Sequence, residues 1–101
     1  MPSQTAAFSG IWDGRWDGKL PSRLIVERID ANSATVVYEW GDSPFFKRGW
    51  VRTDATVSAP GVIHWFTRAD MTFTMSKDHK SIAGMFVVPG GTSSVRMTKV
   101  G

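Results

Sequence analysis

The sequence predicts an all-β domain, an antiparallel up-and-down barrel of eight strands, and three observations carry that expectation. Residues alternate in character at the two-residue period of a strand over most of the chain. Short clusters of Gly, Pro, Asp, Asn and Ser separate the alternating stretches. Helical spacing is nowhere sustained for the roughly eleven residues of an average helix. The connections are too short for parallel crossovers, so neighbouring strands run antiparallel. Closing eight such strands on themselves removes the exposed edges that an open sheet would present. The alternative, a two-sheet Greek-key sandwich, needs a long connection that the sequence does not offer.

A chain of 101 residues holds one domain with one core. Residues 1–8, small and polar with Pro2, read as a flexible arm, and 9–101 as the domain. There is no Cys, so neither disulfides nor thiolate chemistry is available, and stability must come from packing. Five Trp and six Phe against one Tyr predict an interior heavy in rings. The net charge of +3 is scattered among both signs, which argues against nucleic acid as a partner. No long apolar run follows a basic start or crosses a bilayer, so the expectation is a soluble, cytoplasmic chain without membrane contact.

The first strand is the most informative. In Gly10–Lys19 the residues Gly10, Trp12, Gly14, Trp16 and Gly18 share one face, and Ile11, Asp13, Arg15, Asp17 and Lys19 the other. Two indoles in register with glycine gaps between them suit a concave interior, with Asp17-Gly18 as a bulged end. Asp13-Gly14 and Asp17-Gly18 are also hairpin-turn dipeptides, the competing reading. Leu20-Pro21-Ser22 reads as a corner, Arg23–Asp30 as the second strand and Ala34–Trp40 as the third, joined by the turn Asp30-Ala31-Asn32-Ser33.

A hairpin centred on Ala31-Asn32 pairs Ile29 with Ala34, Glu27 with Val36, Ile25 with Tyr38 and Arg23 with Trp40. Facing the apolar members of this set inward carries Glu27 inside, where a carboxylate needs a cation, hydrogen-bond donors or a proton. After the loop Gly41–Pro44, a strand starting at Phe45 places Phe46, Arg48, Trp50 and Arg52 on one parity. Pointing Trp50 inward makes Arg48 the partner of Glu27. Beyond the turn Ala59-Pro60-Gly61, Val62–Thr67 is apolar on both faces, suiting a covered wall or a homodimer contact. Met71–Ser76 alternates cleanly, Lys77–Lys80 is an exposed turn, and Ile82–Val88 and Ser93–Val100 are the last strands around Pro89-Gly90-Gly91.

Gly10-Ile11-Trp12 on the first strand, with Arg96 or Lys99 on the last, resembles the signature of the calycin superfamily, the lipocalins and their relatives. The longer string G-x-W-x-G-x-W-x-G-x-L-P, with L-I-V-E and Y-E-W-G after it, is similar to small bacterial lipocalin-like domains. The resemblance implies a barrel in which Trp12 packs across the closed end and the basic side chain covers its ring. This chain is much shorter than a lipocalin and lacks the flanking helix and disulfide.

The glycines, spaced along a strand, do not form a phosphate loop. Two His and turn-bound Asp residues do not make a metal site, and neither metal nor cofactor is expected. The candidate ligand-binding residues are Trp16, Glu27, Tyr38, Trp40, Arg48, Trp50 and His64, with Trp12 assigned to the core. They predict a small-molecule-binding barrel that takes an apolar or aromatic ligand with one polar group. A cofactor-free enzyme using Glu27, Tyr38, Arg48 and His64 for acid/base chemistry is the second reading, with Glu27, Tyr38 and His64 as catalytic candidates. An interaction or dimerisation domain built on Val62–Thr67 is the third. A plain Glu27–Arg48 ion pair, bracing two strands, competes with any functional role.

Overall fold

The computed structural model describes residues 2–16, 20–41, 47–67 and 69–101. It is a closed antiparallel barrel in the order β1-β2-β3-β4-β5-β6-β7-β8. The strands are β1 (Gly10–Trp16), β2 (Leu20–Ile29), β3 (Ser33–Trp40), β4 (Gly49–Ala59), β5 (Val62–Phe66), β6 (Asp70–Met75), β7 (Ser81–Val88) and β8 (Gly91–Lys99). The expected eight-stranded meander is therefore present, and β1 closes on β8 with Trp12 opposite Lys99 and Gly14 opposite Met97. The proposed turn at Asp13-Gly14 is not formed, since both residues lie within β1. Asp17–Lys19, the loop Asp42–Pro44 and the strand start at Phe45 and Phe46 lie outside the described residues.

The interior is one hydrophobic cluster running the length of the barrel, with Trp12, Phe73, Ile63, Leu24 and Met97 fully buried. Trp12 and Trp16 both point into it, at 0% and 6% exposure, as the alternation of the first strand requires. Gly14 and Gly84 provide the room that these rings consume. A Cβ on Gly14 would press on the Arg96 carbonyl and Met97, and one on Gly84 on the Phe73 ring and Val95.

One end of the barrel is plugged, and this corrects the expectation of a flexible arm over residues 1–8. Ser3–Ala6 forms one helical turn, α1, and Thr5 and Phe8 are fully buried. The Gly61 N–H, in the β4–β5 turn, donates to Thr5 Oγ1 at 3.1 Å, and the Trp12 indole N–H donates to the Phe8 carbonyl at 2.8 Å. Phe8 was invisible to periodicity because it lies outside any strand. Its burial is a matter of where the chain enters the barrel.

The second correction is in register. Ile29 pairs with Ala34 as expected, but the ladder then runs Arg28 to Thr35 and Val26 to Val36, leaving Glu27 as the extra residue of a β-bulge. Beyond it every partner shifts by one, so Leu24 rather than Ile25 lies opposite Tyr38. Leu24 and Val26 face inward, Ile25 turns to the outer wall, and Ile29 still packs against the core. The bulge lets apolar residues separated by an odd spacing share one face while Glu27 and Arg28 both stay in water.

The third correction is the parity of β4. Tyr38 pairs with Val51 and Trp40 with Gly49, which turns Val51, Thr53, Ala55 and Val57 inward. Trp50, at 68% exposure, points outward with Arg52 and Asp54. The Trp40 ring lies so close to Gly49 that a Cβ there would sit 2.7 Å from it, and only glycine fits opposite that indole. Three polar side chains on the Trp50 parity also outweigh one indole in choosing the solvent face.

Turn chemistry follows the sequence closely. Asp30 Oδ1 accepts from the N–H groups of Asn32 and Ser33, both at 2.8 Å, and these bonds hold its carboxyl below the usual range. Asp78 is lowered likewise, by the Ser76 hydroxyl and then the Lys80 N–H.

Candidate functional site

Of the seven sequence-derived site residues, three meet inside the barrel. Trp16, Tyr38 and Trp40 converge at the end opposite α1, where the connections after β1, β3, β5 and β7 emerge. The buried Trp16 indole N–H donates to the buried Tyr38 hydroxyl. Trp16 meets Tyr38 edge-on at 6.5 Å between ring centres, Trp40 lies tilted on Tyr38 at 5.8 Å, and Trp65 at 6.1 Å. Phe73 stacks on Trp65 at 5.4 Å, and Phe86 closes the group against Trp16 at 5.8 Å. Edge-to-face and offset contacts at these separations are the favourable ones for rings with opposed quadrupoles. Trp40, half-buried, is the outermost ring, and its N–H donates to the Lys47 carbonyl at 2.9 Å.

The remaining four are dispersed over the outer wall or rim. Glu27 is exposed and pairs with Arg52, Nε to Oε1 at 2.9 Å, so the expected Glu27–Arg48 pair is not the one formed. Trp50 lies outside for the reason given above. His64 is on the outer face of β5, its Nε2 2.7 Å from Asp70 Oδ1. Ile63 and Trp65 take the inward parity of that strand. Arg48 is exposed, at the rim of the Trp40 end. The carboxylate, phenol, guanidinium and imidazole of the enzyme reading therefore do not face one cavity, because the bulge at Glu27 and the outward parity of β5 separate them.

An open groove of ≈ 510 Å³ crosses the outside of β1, β2 and β3 at this end. Its rim carries the Asp13–Arg23 ion pair, 2.7 Å between Nε and Oδ1, with Arg15, Glu39 and Arg48. Ser22 and Trp40, from the inward-facing positions of β2 and β3, also line it, so it borders the outermost ring of the aromatic group. Arg48 and Trp40 thus meet on one concavity. Ser22 was missed by sequence reasoning, which took Leu20-Pro21-Ser22 for a corner; instead Ser22 lies within β2, opposite Trp40. Trp65, one of the five indoles counted in the sequence, was not singled out there.

Polar atoms in this region are few and incompletely satisfied. Among the described residues the buried polar side chains are Thr5, Ser22 and Ser81, and no charged side chain is buried. Ser22 Oγ and Trp65 Nε1 are buried without a hydrogen-bond partner. The Ser22 hydroxyl does bear on the Tyr38 oxygen electrostatically, without good hydrogen-bond geometry. Burial pushes the Tyr38 phenol up from 10.0 to about 12, against the opposing pull of the Trp16 N–H and Ser22.

Tyr38 is the single tyrosine, so its titration can be read directly from tyrosinate absorbance. The folded protein should show no tyrosinate until the pH approaches about 12, against about 10 for the unfolded chain. Because the folded value is raised, this contribution to stability is complete below pH 10 and disappears as the pH rises through about 12. A titration midpoint near 10 in native conditions would place the phenol in water.

No three His, Asp or Glu side chains gather as a metal site among the described residues. Among the described residues no helix is long and apolar enough to cross a membrane.

Fold and site together define the chain as a closed up-and-down barrel, plugged at one end and ring-lined at the other. Of solved structures it is similar to a redesigned β-barrel, at TM-score 0.75 and 10% identity, over 100% of this chain and 97% of that one. The likeness is one of fold. No family model and no curated protein matches the sequence.

Proposed function

We propose that this barrel binds a small, flat, largely apolar molecule at its Trp40 end. The observation that carries the reading is the groove in which Trp40, Ser22 and Arg48 meet, with Trp40 packed from inside by Tyr38 and, through it, Trp16. The two ends of the barrel differ in a way that favours this site. At the α1 end Trp12, Phe8 and Thr5 are fully buried and hydrogen-bonded, whereas at the other end buried polar atoms lack partners. Calycin kinship belongs to the same proposal. It is supported by Lys99, whose Nζ lies 5.9 Å from the centre of the Trp12 ring, the placement that the resemblance implies for the basic partner.

The test is titration with the neutral fluorophore N-phenyl-1-naphthylamine. Saturable 1:1 enhancement is expected, weakened at least about tenfold in Trp40→Ala, while the circular dichroism stays unchanged. Absence of saturation in the wild-type protein, with no small molecule retained in native mass spectrometry, would remove the reading.

A second reading, an interaction surface, is favoured by the outer wall of β5–β7. Phe66, Met85 and Val87 are 67%, 49% and 40% exposed, and Phe66 and Val87 flank Asp70 across the ladder. Sedimentation should then show self-association that Phe66→Ser abolishes, and a monomer at all concentrations would count against it.

A further inference from the structure

We infer that the barrel carries a second ligand site on its outer wall, a groove over β6–β8 that binds the phosphoryl group of a phosphate monoester with an apolar body. This site is separate from the one proposed at Trp40 and does not depend on it.

An open groove of ≈ 880 Å³ runs over the outer faces of β6, β7 and β8 and reaches Arg15 on β1. The ladder registers arrange its outward side chains in two rows. In one, Thr74 stands opposite Ala83 and Ala83 opposite Arg96; in the other, Thr72 stands opposite Met85 and Met85 opposite Ser94. Where the barrel closes, Gly14 lies opposite Met97, and continuing that antiparallel register brings Arg15 beside Arg96 at the end of the first row.

Charge sets what this groove can hold. Arg15 and Arg96 are both exposed, and no Asp or Glu is among the described residues that line the groove. The outward carboxylate on β1, Asp13, is held by Arg23, which reaches its two oxygens at 2.7 and 3.1 Å, and Asp70 on β6 is paired with His64. Arg96 is not needed to cover the Trp12 ring, because Lys99 takes that place. It donates to Ser81 Oγ at 3.3 Å, one bond from a guanidinium that carries five N–H donors.

Two guanidiniums side by side repel each other, and a dianion bound between them offsets both charges where a carboxylate offsets one. The hydroxyls of Thr72, Thr74 and Ser94 add neutral donors for the remaining phosphoryl oxygens. Ala83 and Met85, the latter 49% exposed, give the body of an ester an apolar surface to lie on. A nucleic-acid strand would need a longer track of Lys and Arg than the two guanidiniums in the described lining.

The test titrates phenyl phosphate, inorganic phosphate and benzenesulfonate, a monoanion on the same ring, into the full chain and follows the Arg Nε–H resonances. The buffer holds about 0.1 M salt, so that charges outside the groove are screened. Phenyl phosphate should saturate and bind at least about fivefold more tightly than either of the others. Arg96→Gln should weaken it at least about tenfold, and Met85→Gln should erase its advantage over inorganic phosphate. Trp40→Ala, at the other site, and Lys77→Gln, an exposed cation outside the groove, should each change its affinity by less than about twofold. Arg15 also lines the groove at Trp40, so Arg96 is the discriminating position. Absence of saturation, or wild-type affinity in Arg96→Gln, would overturn the inference. Inorganic phosphate binding as tightly as the ester, or benzenesulfonate binding as tightly as either, would also overturn it. None of these results bears on the Trp40 site, whose own test uses a neutral probe.

Discussion

Replacing Trp12 with Ala should cost about 3–5 kcal/mol of folding stability, the loss expected when a fully buried indole is truncated in a packed core. Trp12 is the largest of the fully buried side chains. The substitution also strands the Phe8 carbonyl, which accepts the indole N–H at 2.8 Å, and removes the ring that lies under Lys99. A domain of this size has about 5–15 kcal/mol in total, so the variant would be marginal at room temperature. At roughly 4–8 °C per kcal/mol, its melting temperature should fall by about 15 °C or more. Urea denaturation followed by Trp fluorescence is the measurement. A loss below about 1 kcal/mol would mean that the indole is not packed as described.

Phe8→Ala should cost nearly as much, about 3–5 kcal/mol, although Phe8 lies before the first strand in a segment of small and polar residues. This prediction separates a structural plug from a flexible arm, because truncating a side chain in a frayed segment would change stability by less than about 0.5 kcal/mol. Phe8 and Trp12 are joined by a hydrogen bond and belong to one cluster. The double variant should therefore lose less than the sum of the single losses, with a coupling of about 0.5 kcal/mol or more. Thermal melts of the single and double variants in one buffer would measure it, and strict additivity would place the two residues apart.

The two substitutions also mark where sequence reasoning reached and where it stopped. Trp12 and Trp16 were legible because strand geometry alternates faces and both lie within one uninterrupted strand. Tyr38 and Trp40 were legible for the same reason on β3. Glu27 was not, because a bulge adds a residue with no distinct letter and inverts every face beyond it. Only the apolar set Leu24, Val26 and Ile29, separated by two and then three, hinted at the irregularity. Trp50 misled because hydrophobicity alone was allowed to choose its side. The Gly49 beneath Trp40, and the charges at Arg48, Arg52 and Asp54, carried the opposite signal.

By itself, the amino-acid order determined the local terms: which stretches are strands, where the Asx turns fall, that the first strand turns two indoles the same way, and that eight antiparallel strands close. Each of these depends on residues a few positions apart, within the reach of backbone geometry and periodicity. Tertiary structure alone decided the plug at Phe8, the exposure of Glu27, Trp50 and His64, and the meeting of Trp40, Ser22 and Arg48 on one groove. Those depend on which strand lies beside which and in what register. A ladder between residues far apart in the chain is set by the packing of the whole interior, not by the order of letters along one strand.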